Sequence, residues 1–213
     1  MNAHATSPAL AEFSAALDAK WDYGKLPESE ERFRAELAQW PPGDPQALIV
    51  VTQIARTQGL RRQFTEAHAT LDAVEARLGG MPSHVRVRYL LERGRVFNSA
   101  RAPEKAVPLF AEALALAQCD GDAFYAIDAA HMLGIAAPKG ERLDWNLKAL
   151  TMAEAATDPR ARGWRASLYN NIGLIYQQQG DFATALVYYR KALPASEERG
   201  NPGRIRIAQW MIA

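Results

Sequence analysis

Four histidines, His4, His68, His84 and His131, and one cysteine, Cys119, are the side chains here best suited to bind a metal or attack a carbonyl. Their spacing serves neither purpose. Zinc sites draw ligands from short pairs such as His-x-x-x-His or Cys-x-x-Cys, so that one turn of chain presents two at once, and no such pair occurs. Cys119 has no histidine nearby at nucleophile spacing and reads as a small apolar residue. Leu78-Gly79-Gly80-Met81 is a turn rather than a phosphate-cradling loop. The acids from Glu28 to Glu31 precede Arg32 and Arg34, the pattern of a solvated helix face rather than of an acid–base pair. The expectation is therefore no catalytic residue, no metal, no cofactor and no enzyme. The chemistry left is that of arginine forks and side-chain amides, which suit carboxylates and peptide groups. Where those groups stand depends on the elements that carry them.

The chain has 213 residues, 48% hydrophobic and 23% charged, enough for one or two ordered domains. Alanine is abundant and β-branched runs are scarce, which favours helix. A net charge of +1 argues against nucleic acid or an anionic membrane as partner. The charge is uneven: residues 1–46 are net −4, 47–118 net +4 and 119–213 net +1, so the middle is a mildly basic island. A lone cysteine forms no intrachain disulfide, Met1 to Pro8 lacks a signal-like apolar stretch, and no run reaches the ~18 apolar residues of a membrane span. A cytoplasmic location is expected.

One frame recurs along the chain. Tyr169, Ile172, Gly173 and Tyr176 are followed after Gly180-Asp181 by Ala185, Tyr189 and Ala192. The small residue at Ala185 has counterparts at Asn146, Ala106, Ala67 and Ser29, at spacings of 39, 40, 39 and 38. Four residues after each stand Tyr189, Leu150, Phe110, Leu71 and Phe33. Twelve residues before Ala185, Asn146, Ala106 and Ala67 stand Gly173, Gly134, Gly94 and Ala55. Small residues let two helices approach closely, and large ones at helical spacing fill the seam between them. Gly180 suits a helix C-cap and Asp181 the next N-cap.

This pattern resembles the tetratricopeptide repeat (TPR), with all seven motif places filled in residues 166–195 and the trailing proline replaced by Glu197. The period exceeds the usual ~34 residues, so the likeness is to longer variants such as those of kinesin light chains and some bacterial peptide-sensing regulators. The resemblance implies an all-α, right-handed superhelical solenoid of about five helix pairs plus a C-terminal helix, with first helices lining a concave side. On that frame the inward positions supply Arg56, Arg88, Arg95, Asn98, His131, Asn170 and Gln177 as a candidate peptide-binding surface. The function implied is a protein- or peptide-binding scaffold, with an acidic or C-terminal carboxylate as ligand. The alternative is a sensor module that binds a signalling peptide and controls an effector.

The punctuation sets the expected boundaries. Residues 1–8 are expected to be disordered and 9–213 to form a single domain, with repeats near 10–40, 46–79, 84–118, 122–156 and 161–198 and a partial sixth at 203–213. Helix pairs are expected near 10–24/27–39, 46–58/63–78, 84–98/104–118, 122–137/142–156 and 161–179/182–197. Asp44-Pro45 and Asp158-Pro159 fit an N-cap followed by proline at the first helical position. Pro108 threatens a kink, and Pro138 and Asn146 make the fourth repeat least regular. The last segment carries Ile205, Ile207, Trp210 and Ile212, too apolar to face water all round, and the frame stops at Ile212 where the small residue would fall. A longer parent array or end-to-end pairing into a homodimer is the expectation.

Overall fold

The computed structural model describes residues 8–198, 200 and 202–212. The expectation of disorder at the N-terminus, and His4 with it, falls outside these residues, except that Pro8 opens the first helix. Among the described residues every regular element is helical: α1 (Pro8–Asp18), α2 (Leu26–Leu37), α3 (Pro45–Leu60), α4 (Phe64–Glu75), α5 (Ser83–Ser99), α6 (Pro103–Cys119), α7 (Ala123–Ala136), a 3-10 turn (Lys139–Glu141), α8 (Arg142–Ala155), a single turn (Pro159–Arg162), α9 (Arg165–Gln178), α10 (Phe182–Glu198) and α11 (Pro202–Ile212).

These are the expected pairs, with two departures. First, α1 stops at Asp18 instead of running to residue 24. Asp22 accepts a hydrogen bond from the Gly24 amide at 3.0 Å, and the Ser29 hydroxyl donates to the Asp22 carbonyl at 3.0 Å. Such side-chain bonds offer the backbone an alternative to another helical turn. Second, the helix expected over 161–179 breaks at Gly163-Trp164, where the Trp164 amide bonds back three residues to Ala161. Of the two Asp-Pro starts, Asp158 caps its turn by accepting from the Arg160 amide, whereas Asp44 makes no side-chain cap. Pro108 lies within an unbroken α6.

The chain divides into two compact units, Met1–Asp122 and Ala123–Ala213. In the first, α5 packs on α6 and α3 packs on α4, α2 and α5, so equivalent first helices lie side by side. In the second, α7 pairs with α8, α9 with α10, α8 with α9, and α10 with α11.

The repeat residues form the seam of each hairpin. Phe33, Leu71 and Phe110 are 0% exposed, Tyr189 4% and Leu150 7%, each stabilising its hairpin by about 1.5–3 kcal/mol of apolar burial. A Cβ at Gly173 would stand 2.6 Å from Tyr189 Cε1, and one at Gly94 would stand under 3.0 Å from the Phe110 ring. The ring of the second helix thus rests directly on the backbone of the first. The fourth repeat solves the same contact differently. There Leu150 replaces the ring and Asn146 fills the space, donating to the Gly134 carbonyl at 3.0 Å and the Arg142 carbonyl at 2.8 Å.

Helices α3, α5, α6 and α9 end alike. The amides of Gln63, Ala102, Asp122 and Asp181 each bond back five residues, to the carbonyls of Gln58, Phe97, Ala117 and Tyr176. This closure needs a left-handed residue just before the bonding amide. Gly121 (φ 70°) and Gly180 (φ 83°) supply it in two cases, but Arg62 (φ 64°) and Arg101 (φ 63°) do so in the others, at a cost of about 1–2 kcal/mol each. After Gly180, Asp181 accepts from the Thr184 amide at 3.0 Å, as an N-cap should.

Candidate binding faces

In the first unit the loop after α1 turns Trp21 and Tyr23 into a parallel stack, ring centroids 4.9 Å apart. The Trp21 indole donates to Gln53 Oε1 on α3 at 3.0 Å, which fixes the stack against that helix. One turn along α3, the Arg56 guanidinium lies 5.5 Å from the Trp21 ring and 5.7 Å from the Tyr23 ring. Cation–π contact of this kind holds a guanidinium flat while leaving its edge for hydrogen bonds. That edge donates to Glu92 Oε1 on α5 at 3.1 Å, and Arg95 donates to the same oxygen at 2.7 Å. Glu92 is 2% exposed, so two arginines converge on one buried carboxylate.

Of the residues read from the sequence, Arg56 and Arg95 are therefore brought together. Arg88 is 3% exposed and donates to Asp18 Oδ1 on α1 at 2.8 Å. Asn98 is half-buried near the end of α5.

A second constellation joins residues 70 apart. Ser14 Oγ lies 2.7 Å from His84 Nε2, and His84 Nδ1 lies 3.3 Å from Asp122 Oδ2. The order hydroxyl–imidazole–carboxylate is that of a nucleophilic relay. Ser14, however, has 0% exposure and His84 1%, which leaves a substrate carbonyl no approach. The arrangement ties α1, α5 and the end of α6 together. Among the described residues no three of His, Cys, Asp and Glu gather as a metal site, and no helix is long and apolar enough to cross a membrane.

In the second unit the His131 ring on α7 lies tilted against Trp164 at 4.9 Å, and Phe124 lies 5.8 Å from the same indole. Arg160 covers Phe124 from 4.2 Å. The Trp164 indole N–H and the Asn170 side-chain oxygen are buried and meet no hydrogen-bond partner among the described residues. Gln177 is exposed, and its Oε1 accepts from the Tyr189 hydroxyl at 2.6 Å, so it closes its own hairpin from above. Lower on that hairpin, burial and the hydrogen bond to Glu154 push the Tyr169 hydroxyl up to about 12.

Sequence reasoning did not find Glu92, Trp164 or the Trp21–Tyr23 stack. Glu92 is an acid among bases, like any ion-paired surface residue, and only its burial distinguishes it. Tyr23 reaches Trp21 because α1 ends at Asp18 and the chain turns back in a loop.

Residues 166–194 match the family model Tetratricopeptide repeat. Among solved structures, the chain is similar to BtubC (BKLC) from P. vanneervenii at 17% identity, covering 91% of this chain and 82% of that one, with a TM-score of 0.62. It is also similar to YrrB, described as a TPR protein with an unusual peptide-binding site, at 17% identity over 96% of this chain and 92% of that one, with a TM-score of 0.48. No curated protein matches the sequence.

Proposed function

We propose, on the premise that this chain is a tetratricopeptide-repeat protein, that it is a non-catalytic scaffold binding another protein or a peptide along the concave side of its first helices. The observation carrying this reading is the Arg56–Glu92–Arg95 arrangement beneath the Trp21–Tyr23 stack. Fixed aromatic area and oriented guanidinium groups are what interface anchors are made of. Guanidinium groups held in fixed orientation suit a ligand with an acidic side chain or a C-terminal carboxylate. Asn98 continues this surface in the first unit. In the second unit His131, Asn170 and Gln177 supply groups for peptide backbone, with Asn170 bringing an unspent acceptor. Arg88 belongs to the set as the residue that fixes α5 against α1.

The test is a displayed library of random peptides selected on the whole protein. The expected pool is rich in acidic or free C-terminal carboxylate peptides that lose binding to R56A/R95A, with helicity unchanged by circular dichroism. Equal binding by that variant overturns the placement of the site. A cytoplasmic location and one continuous array over residues 9–213 complete the reading. So does homodimerisation through α11, supported by Ile207 at 54% and Trp210 at 77% exposure. Light scattering of Trp210→Glu against the parent protein checks the dimer. A parent protein that stays monomeric at high concentration removes it.

A further inference from the structure

The two left-handed arginines occupy the same place in successive repeats, the turn between first and second helix. Nothing in the backbone asks for arginine there, since Gly180 makes the identical closure in the last hairpin. An L side chain in this conformation is strained, and strain kept at equivalent surface positions points to a role for the side chains. Both guanidinium groups are exposed and form no ion pair among the described residues. The Lys25 ammonium, in the corresponding turn of the first hairpin, is likewise exposed and unpaired. Of the other bases nearby, Lys20 pairs with Glu36, Arg61 pairs with Glu30, and Lys105 lies over the Phe97 ring. At the opposite end of the same unit the turns between repeats carry Asp44, Asp120 and Asp122.

We propose that Lys25, Arg62 and Arg101 form a basic edge on the first unit, distinct from the inner face, that binds an extended acidic polypeptide segment. Because α3 packs directly on α5, equivalent turns stand one helix diameter apart, roughly 8–10 Å. A polyproline II chain advances ~3.1 Å per residue with three residues per turn, so carboxylates three residues apart share one face and match the register of the cations. Polypeptide is favoured over nucleic acid because the whole chain carries a net charge of only +1, which gives little field to hold a phosphate backbone. The contacts lie in water and are weakened by salt.

The test uses the full chain, fluorescence anisotropy and labelled peptides of repeating Glu-Ser-Ser, beside peptides of the same composition with the glutamates clustered. The spaced peptide is expected to bind more tightly at low ionic strength. R62G/R101G, which removes charge and strain together, is expected to raise Tm while weakening the spaced peptide by about fivefold or more. R62K/R101K keeps the charge and is expected to stay within about twofold of the parent. Unchanged binding by the glycine variant overturns the proposal, as does tighter binding of an oligothymidylate of equal charge. Loss of spacing preference overturns the register. R56A/R95A is expected to leave this binding intact, so failure of the inner-face reading and failure of the edge are told apart.

Discussion

Arg88 reaches across the first unit to Asp18, 70 residues earlier, with Nη1 2.8 Å from Oδ1. Arg88 is 3% exposed while the Asp18 side chain keeps 24%, so the cation is the buried partner. Removing the carboxylate withdraws a charge-assisted bond from a guanidinium with little access to water. Asp18→Asn is expected to lower the unfolding free energy by about 1–3 kcal/mol. The double variant D18L/R88M should recover part of that loss. Urea titrations of the parent, D18L, R88M and D18L/R88M read the coupling directly.

The seam between ring and backbone predicts a different compensation. Gly173→Ala drives a methyl into Tyr189 and should cost about 1–3 kcal/mol. Pairing it with Tyr189→Leu, the residue type found at Leu71 opposite Ala55, should make the two changes less than additive. Full additivity in thermal unfolding would show that the ring does not sit where the methyl goes.

Acid stability should fall in two stages. His68 is held below its ordinary value of 6.5, first by burial and then by the Arg93 guanidinium, whose Nη1 lies 2.8 Å from His68 Nδ1. The folded state therefore prefers neutral His68, and its contribution is complete above 6.5 and lost as pH falls through the lower folded value. Burial alone would raise Glu30, but bonds from Arg34 and Thr57 and the charges of Arg34 and Arg61 hold it below 4.5. Lys20, with the Trp40 indole, does the same for Glu36. Their contribution is present above 4.5 and disappears below it. His68→Gln should flatten the first stage and Glu30→Gln part of the second, measured as urea midpoints between pH 7 and 3.

At the alkaline end, Tyr169 should ionise near 12, and Tyr169→Phe should remove that transition from an ultraviolet titration. Because the folded state holds the neutral phenol, stability declines once pH passes its ordinary value of 10.0.

The hairpins were legible in the sequence because their contacts are local and chemically distinctive. A ring sixteen residues after a glycine, as Tyr189 is after Gly173, marks both the helices and their seam. The turns at 59–63 and 99–103 were legible too, but not that arginine would hold the left-handed position, since residue type gives no such signal when glycine is absent. The faces were less readable. Ser14 and His84, or Asp18 and Arg88, meet through the packing of non-adjacent helices, and no periodicity links residues that far apart. Glu92 looks like any surface acid until its neighbours enclose it.

The ring-on-glycine contact also has a kinetic consequence. Its partners are only sixteen residues apart, so forming a hairpin closes a short loop and loses little chain entropy. Topologies dominated by such low contact order fold in microseconds to milliseconds. The 70-residue closures that bring Ser14 to His84 and Asp18 to Arg88 are the slow exceptions, and they all involve α1. The first helix should therefore dock last, onto hairpins already formed, and should be the first protected segment to exchange its amide hydrogens when the first unit opens.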